Sequence, residues 1–217
     1  MRLYSYDHCP FSTRVRYVAG LLNLELNPQT LAFDDEQTTV DIIGKKQVPV
    51  LVSCEHEAIA ESNDIITYLL DLSGLNETGE PSEDVKEWQS NAFLTLQQIG
   101  YPRWTSLPLG EFATESAKEA WRAKKETGEF NFKELISESS IIAGKAKILI
   151  GQAHEILNKW PSRSRSYVDR AIIFSILRGF SSLEAIEWMP EMRKWLEEQS
   201  KESGVYLLNS NLSFTLN

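Results

Sequence analysis

The sequence predicts an α/β domain of about 70 residues followed by an all-α domain. Three observations carry that reading. Residues 1–72 alternate short strand-like and helix-like pieces. The stretch LSGLNETGEPSED, residues 72–84, holds two glycines, a proline and several acids, which marks a connector. Everything after it has helical periodicity. The expected division is therefore 1–72, a linker at 73–84, and 85–217. At 217 residues, 42% hydrophobic and 10% aromatic, the chain can build such cores.

The elements follow in order. Residues 2–6 read as a strand and 10–23 as a helix, with Pro10 in its first turn. Residues 25–32 form a second strand, weakened by Pro28. Residues 36–43 make a short, irregular helix. The β-branched run 48–52 and the short return strand 58–60 flank a polar turn, SCEHE. Ser62 opens a helix whose apolar face is Ile65, Ile66, Leu69 and Leu70. In the second half, Ser82 caps a helix running to Gly100, and Thr114 another that stops at Gly128. One long helix spans 132–159, before Pro161. Ser166, with Asp169 three residues on, is a capping-box-like start for IIFSILRGF, a helix apolar enough to lie at the centre of its domain. Pro190 starts the last helix.

Composition excludes several functions. The net charge is −9 and no basic stretch fits a nucleic-acid footprint. No apolar run approaches the ~18 residues of a membrane span. The start, MRLYSYDH, lacks the apolar centre of a signal peptide. Two cysteines, Cys9 and Cys54, make no disulfide framework, and no His/Cys cluster has zinc spacing. The consistent compartment is the reducing cytosol, where a thiol stays free.

The informative stretch is DHCPFSTRVRYV, residues 7–18. Cys9 falls between the first strand and first helix, at the cap, with its sulfur facing the free N–H groups of Phe11 and Ser12. Those groups and the helix dipole favour a thiolate, so the Cys9 thiol is expected below the ~8.5 of free cysteine. The thiolate is the attacking species in disulfide exchange. The Ser12 hydroxyl, one turn on, is placed to donate to the sulfur but cannot close a disulfide. Arg14 and Arg16 add positive charge. His8 is expected to be exposed and non-catalytic, because a thiolate already formed needs no general base. Cys54 lies about five strand residues beyond Pro49, roughly 17 Å at ~3.4 Å each, and reads as an inert turn cysteine.

Two further pieces are weak alone. Val48-Pro49 places a proline in a strand-like run. A cis bond would turn the N–H and C=O of Val48 outward toward an extended peptide, though an ordinary trans edge proline also fits these residues. Before the next helix stands Glu61-Ser62-Asn63-Asp64. With Ser62 as cap, its hydroxyl and nearby N–H groups would take a carboxylate, and Glu61 or Asp64 an adjacent ammonium. Lys45 and Lys46 are placed to hold a second carboxylate. The combined pattern describes a ligand with a carboxylate and amine at one end, a sulfur-bearing peptide in the middle, and a carboxylate at the other. Glutathione has this layout.

With YSYDHCPFS, GKKQVPVL and ESNDI in place, and a helical remainder, the whole chain resembles the large two-domain bacterial glutaredoxins of the glutaredoxin 2 type. The resemblance implies a thioredoxin-like domain joined to an all-helical domain, the architecture of glutathione transferases. It implies a cis Val48-Pro49 bond and Cys9 as nucleophile. It implies glutathione as co-substrate, held by Cys9, Phe11, Lys46, Val48, Pro49, Glu61 and Ser62, with no metal and no bound organic cofactor. The expected partners are glutathionylated or disulfide-containing proteins, and the resembled proteins are monomers. The family closes its motif as C-P-x-C, whereas this chain has Ser12 at the position of the resolving thiol. What remains is a one-thiol route on glutathione mixed disulfides. Two other readings stay open on the residues. One is a glutathione transferase that conjugates electrophiles; the other is a non-enzymatic glutathione- or partner-binding module. Trp88, Tyr101, Trp104 and Trp121 are candidates for cavity walls or simply for core.

Overall fold

The computed structural model describes residues 1–159 and 166–209. Strand β1 (Arg2–Ser5) leads through helix α1 (Pro10–Leu21) to β2 (Asn27–Thr30), which pairs with it in parallel, Arg2 opposite Asn27. Helix α2 (Thr38–Ile43) follows, then the antiparallel strands β3 (Val50–Val52) and β4 (Ala58–Ala60). The sheet order is β2-β1-β3-β4, with β1 antiparallel to β3 and Leu3 opposite Leu51. Pro28 is tolerated because β2 is an edge strand, where a missing N–H breaks no ladder. Helix α3 (Ser62–Leu72) completes this half. Its four expected apolar residues, Ile65, Ile66, Leu69 and Leu70, are all buried.

The helical half comprises α4 (Glu83–Gly100), α5 (Glu115–Lys125), α6 (Phe132–Ser137), α7 (Ser139–Asn158), α8 (Tyr167–Phe180) and α9 (Pro190–Ser203). Two short 3₁₀ turns, Trp104–Ser106 and Gly110–Phe112, join α4 to α5. The Thr114 hydroxyl accepts the Ala117 N–H as a cap, but α5 ends at Lys125, before Gly128. The helix expected over 132–159 is broken at Glu138. Asn131 caps a six-residue α6, and α7 restarts at Ser139. Pro161 lies outside the described residues. Ser166 caps α8 as expected, accepting the Asp169 N–H. The Asp169 carboxylate does not turn back to its own helix. It accepts the Ser82 N–H and hydroxyl, both at 2.8 Å, at the start of α4.

Helix α8 is buried from Val168 to Phe180 except at Arg170. It packs on both α1 and α4, so the two halves share one core. Helix α1 also packs against α9. The contact is close enough that a methyl group on Gly20 would collide with the backbone of Ser203. Arg178, fully buried, ties the halves together. Its Nη1 donates to the Asp7 carbonyl at 2.7 Å and to the Thr13 hydroxyl at 3.2 Å, and its Nε to the Tyr206 carbonyl at 2.6 Å. Burial pulls its pKa down to about 10, with neighbouring Arg16 acting in the same direction, so it remains a cation at neutral pH.

Candidate active site

Cys9 is the N-cap residue of α1, and Pro10 occupies the first helical turn, where its missing N–H costs nothing. The loop before it is fixed on two sides. Arg178 holds the Asp7 carbonyl, and the Asp7 carboxylate pairs with Arg16 at 2.6 Å. On the other side Glu111, at the second 3₁₀ turn, accepts both the backbone N–H of His8 at 2.8 Å and its Nδ1 at 2.7 Å. The expectation of an exposed His8 is overturned. It is buried among aromatic rings, with Trp104 and Trp121 each 4.8 Å away between centroids and Phe112 stacked at 5.3 Å. Burial works against the Glu111 charge. The hydrogen bonds from His8 and from its own backbone outweigh that and hold the carboxyl below the usual carboxylate range, so Nδ1 carries the proton it donates.

The thiol itself departs from expectation. Cys9 is only 8% exposed, and this burial pushes its pKa up. The amides of Ser12 and Phe11, the Ser12 hydroxyl and Arg14 all pull the other way, as the helix-cap argument requires. Desolvation is the larger effect, and the net direction is upward. The sequence showed the dipoles but not the walls around them. The Ser12 hydroxyl is fully buried and has no hydrogen-bond partner of good geometry, so it acts on the sulfur through its dipole. Arg14 is also buried. It donates to Ser175 and Gln89 and lies 4.7 Å over the Phe11 ring. Burial lowers its pKa to about 10, which still leaves it charged beside the sulfur.

The Val48-Pro49 bond is cis, and β3 begins only at Val50, two residues later than the sequence indicated. No hydrogen bond among the described residues engages the Val48 backbone, which leaves a free edge for an extended peptide. Cys9, Pro10, Phe11, Lys46 and Val48 line one cavity of about 350 Å³. Phe11, Glu61 and Ser62 line an adjoining one of about 310 Å³, so Phe11 joins the two. Lys46 sits at the first cavity with its Nζ on the Phe33 carbonyl at 2.8 Å and on Glu36.

At the second cavity the cap is one residue earlier than expected. Glu61 is the N-cap of α3 and Ser62 its first helical residue, buried and making no capping bond. Glu61 has φ 68°, a left-handed conformation that side-chain-bearing residues rarely adopt and that clusters at ligand sites. Its carboxylate is held by Gln47 Nε2 at 2.9 Å and by Lys45 at 3.5 Å. Both lysines expected at a second carboxylate already have an acidic partner, Lys45 in Glu61 and Lys46 in Glu36. Asp64 and Glu61 are both exposed.

Of the aromatics in the helical half, Phe93, Tyr101, Trp104 and Trp121 line the first cavity with His8 and Phe33, Trp104 and Trp121 being core residues as well, 2% and 1% exposed. Trp88 does not. It is core, with its indole N–H on the Leu149 carbonyl at 3.0 Å. Cys54 lies exposed in the turn beyond β3, beside the N-terminal amine and at the far end of β1 from Cys9. Among the described residues, no group of three or more His, Cys, Asp or Glu is placed to hold a metal ion. No helix is long and apolar enough to cross a membrane, again among the described residues. Sequence reasoning missed Glu111 and Gln47, whose roles depend on contacts across 103 and 14 positions and leave no local pattern.

The comparisons agree with this geometry. Residues 3–78 match the glutathione S-transferase N-terminal domain, and residues 84–211 match "Glutaredoxin 2, C terminal domain". Glutaredoxin 2 of Escherichia coli strain K12 is 28% identical over 212 residues, covering 97% of this chain and 99% of that protein. The crystal structure of glutaredoxin 2 from Salmonella typhimurium in complex with glutathione superposes with a TM-score of 0.84 at 27% identity, covering 95% of this chain and 96% of that one. Gtt2 from Saccharomyces cerevisiae shares the fold at a TM-score of 0.57 and 17% identity, over 93% of this chain and 96% of its own. The C-terminal match spans more than half of the chain, and the likeness to whole glutaredoxin 2 proteins runs end to end. This chain belongs to the glutaredoxin 2 family.

Proposed function

We propose that the protein is a glutathione-dependent thiol–disulfide oxidoreductase that works with one thiol. The observation that carries the reading is the arrangement of Cys9 at the head of α1 in the same cavity as Val48, whose bond to the buried Pro49 is cis and whose backbone is unpaired among the described residues. Glutathione is the co-substrate. Its cysteinyl part pairs with Val48 beside Pro49 and Phe11, and Lys46 takes its glycine carboxylate in exchange for the exposed Glu36. Its other end reaches Ser62 and Glu61, where the α3 amides and an acid await a carboxylate and an ammonium.

The Cys9 thiolate attacks the glutathione sulfur of a mixed disulfide. A Cys9–glutathione disulfide forms, and the electron pair of the broken S–S bond leaves with the substrate thiol, which takes a proton from water. The thiolate of a second glutathione then attacks the glutathione sulfur, giving oxidised glutathione and free Cys9. Ser12 cannot intercept the intermediate. Burial opposes the attacking anion and lowers its fraction in the free protein, while the Ser12 and Phe11 amides, the Ser12 hydroxyl and Arg14 offset part of that cost. The substrates are glutathionylated or disulfide-containing proteins, met by a monomer in the reducing cytosol.

The test is Cys9→Ser, assayed for reduction of a glutathione mixed disulfide beside conjugation of an electrophile. Disulfide reduction should vanish, and incubation of the parent protein with oxidised glutathione should add one glutathione, detected by mass spectrometry and absent in the variant. Unchanged turnover in Cys9→Ser would end the proposal.

A further inference from the structure

The residues assigned to glutathione make only part of the lining of the first cavity. The residues assigned to glutathione occupy its α1 and Val48 side and the adjoining cavity at Ser62. The remaining wall comes from Phe33 and the helical half: Phe93, Tyr101, Trp104 and Trp121, with Lys124 and Lys125 at the end of α5. Phe93 packs on Phe11, and the other four rings form one connected set. Trp104 and Trp121 lie 5.9 Å apart, Tyr101 meets Trp121 edge-on at 5.3 Å, and Phe33 does so at 5.0 Å. Tyr101 is held in place by Gln97, whose Nε2 donates to its hydroxyl at 2.8 Å.

The two lysines are placed over this surface. Lys125 Nζ is 4.9 Å from the Tyr101 ring centre and 5.7 Å from that of Trp121, and Lys124 Nζ is 6.0 Å from that of Phe33. Neither has a carboxylate partner among the described residues, in a chain of net charge −9. A lysine near a helix C-terminus is ordinary. Two unneutralised lysines over the aromatic lining of a cavity that contains the nucleophile are not explained by that.

Building on the glutathione reading above, we propose that this half of the cavity receives the leaving thiol, and that it selects a flat aromatic thiol bearing a negative charge. The partly exposed rings of Tyr101 and Phe93 stack on the arene, backed by the buried Trp104 and Trp121, while the lysines neutralise its acid group. The exchange is the one already described. Cys9 forms a bond to the glutathione sulfur, the bond to the aryl sulfur breaks, and the aryl thiolate departs with the electron pair. A second glutathione restores Cys9, so one aryl–glutathione disulfide and one glutathione yield one aryl thiol and one oxidised glutathione.

The experiment has two arms. In the first, 4-nitrobenzoate and the uncharged 4-nitrobenzyl alcohol are titrated by calorimetry into the protein saturated with S-methylglutathione. The anion should bind roughly fivefold or more tightly, and Lys124→Gln with Lys125→Gln should remove that margin. No binding, displacement of the anion by S-methylglutathione, or equal binding of both probes would overturn the proposal. In the second, kcat/KM is compared for the mixed disulfides of glutathione with 5-thio-2-nitrobenzoate and with 2-mercaptoethanol. The aromatic substrate should be preferred, and the ratio should fall roughly fivefold in the double variant. An unchanged ratio overturns the substrate assignment. Charge-dependent probe binding with neither disulfide turned over would instead overturn the glutathione reading and leave the arene site standing.

Discussion

Oε1 of Glu111 accepts both the Nδ1–H and the backbone N–H of His8, at 2.7 and 2.8 Å, across 103 residues of sequence. One fully buried carboxylate from the helical half therefore fixes the loop that carries Cys9. The nucleophile's position belongs to both halves of the chain. A thioredoxin-like half on its own would lack this brace and that of Arg178.

Glu111 should make stability sensitive to acid. Its folded pKa is depressed, so its contribution is present above the unfolded carboxyl value, ~4.3, and is lost as pH falls through the lower folded value. Urea unfolding of the parent and Glu111→Gln, followed from pH 7 into the acid range, should show a gap that narrows as pH drops. Glu111→Ala strips two buried donors of their acceptor and should cost about 2–5 kcal/mol at pH 7. A gap independent of pH would mean that the carboxyl is neutral in the folded protein.

Cys9 should react as a shielded thiol. Burial raises its pKa against the opposing amides, hydroxyl and guanidinium, so the alkylation rate should climb with pH through a midpoint above that of free cysteine. Ser12→Ala removes one of the opposing dipoles and should move the midpoint further up. A midpoint below that of a free cysteine would show that the amides, hydroxyl and guanidinium outweigh burial.

Gly20 should tolerate no side chain. The atoms a methyl group would strike belong to the Ser203 backbone, which cannot rotate away. Gly20→Ala should separate α1 from α9 and lower unfolding stability by about 1–3 kcal/mol or more. Retention of parent stability would mean that α9 can shift without loss.

The chain order of elements was readable because each has a local cause. Pro10 starts a helix and the apolar run in α8 requires burial, whereas the cis Val48-Pro49 bond followed only from the family resemblance, the residues alone fitting a trans edge proline. The thiol's environment was not readable in the same way. The dipoles at the head of α1 are local, whereas the cavity that Cys9 lines is walled in part by Trp104, Trp121 and Leu96, about a hundred residues on. His8 failed for the same reason, since Glu111 leaves no mark near it. The cap at Glu61 was missed by one residue because Ser is the commoner capping type, and nothing in ESND announces a positive φ.

Asp169 couples the two halves through the connector. It accepts the N–H and the hydroxyl of Ser82, so the first residue before α4 is anchored to α8. Asp169→Ala should cost about 1–3 kcal/mol in urea unfolding, chiefly by removing this acceptor of the Ser82 N–H, since the Ser82 hydroxyl also reaches Asp84 at 2.6 Å. The double variant with Ser82→Ala should cost less than the sum of the two single variants, because the hydroxyl bond is then counted once. Additive losses would show that the pair does not interact in solution.

Replacing Ser12 by cysteine tests the one-thiol route against the family's two-thiol pattern. Ser12 is fully buried one turn along α1 from Cys9, and its hydroxyl already lowers the thiol's pKa, which places the two side chains as neighbours. A thiol there should attack the Cys9–glutathione disulfide, release glutathione and close an internal disulfide. Ser12→Cys should therefore lose two mass units on mild oxidation in place of gaining a glutathione, and should reduce protein disulfides that the parent leaves intact. Persistence of the glutathione adduct in the variant would mean that burial holds residue 12 away from the sulfur. Ser12 would then not be the sole reason the chain works with one thiol.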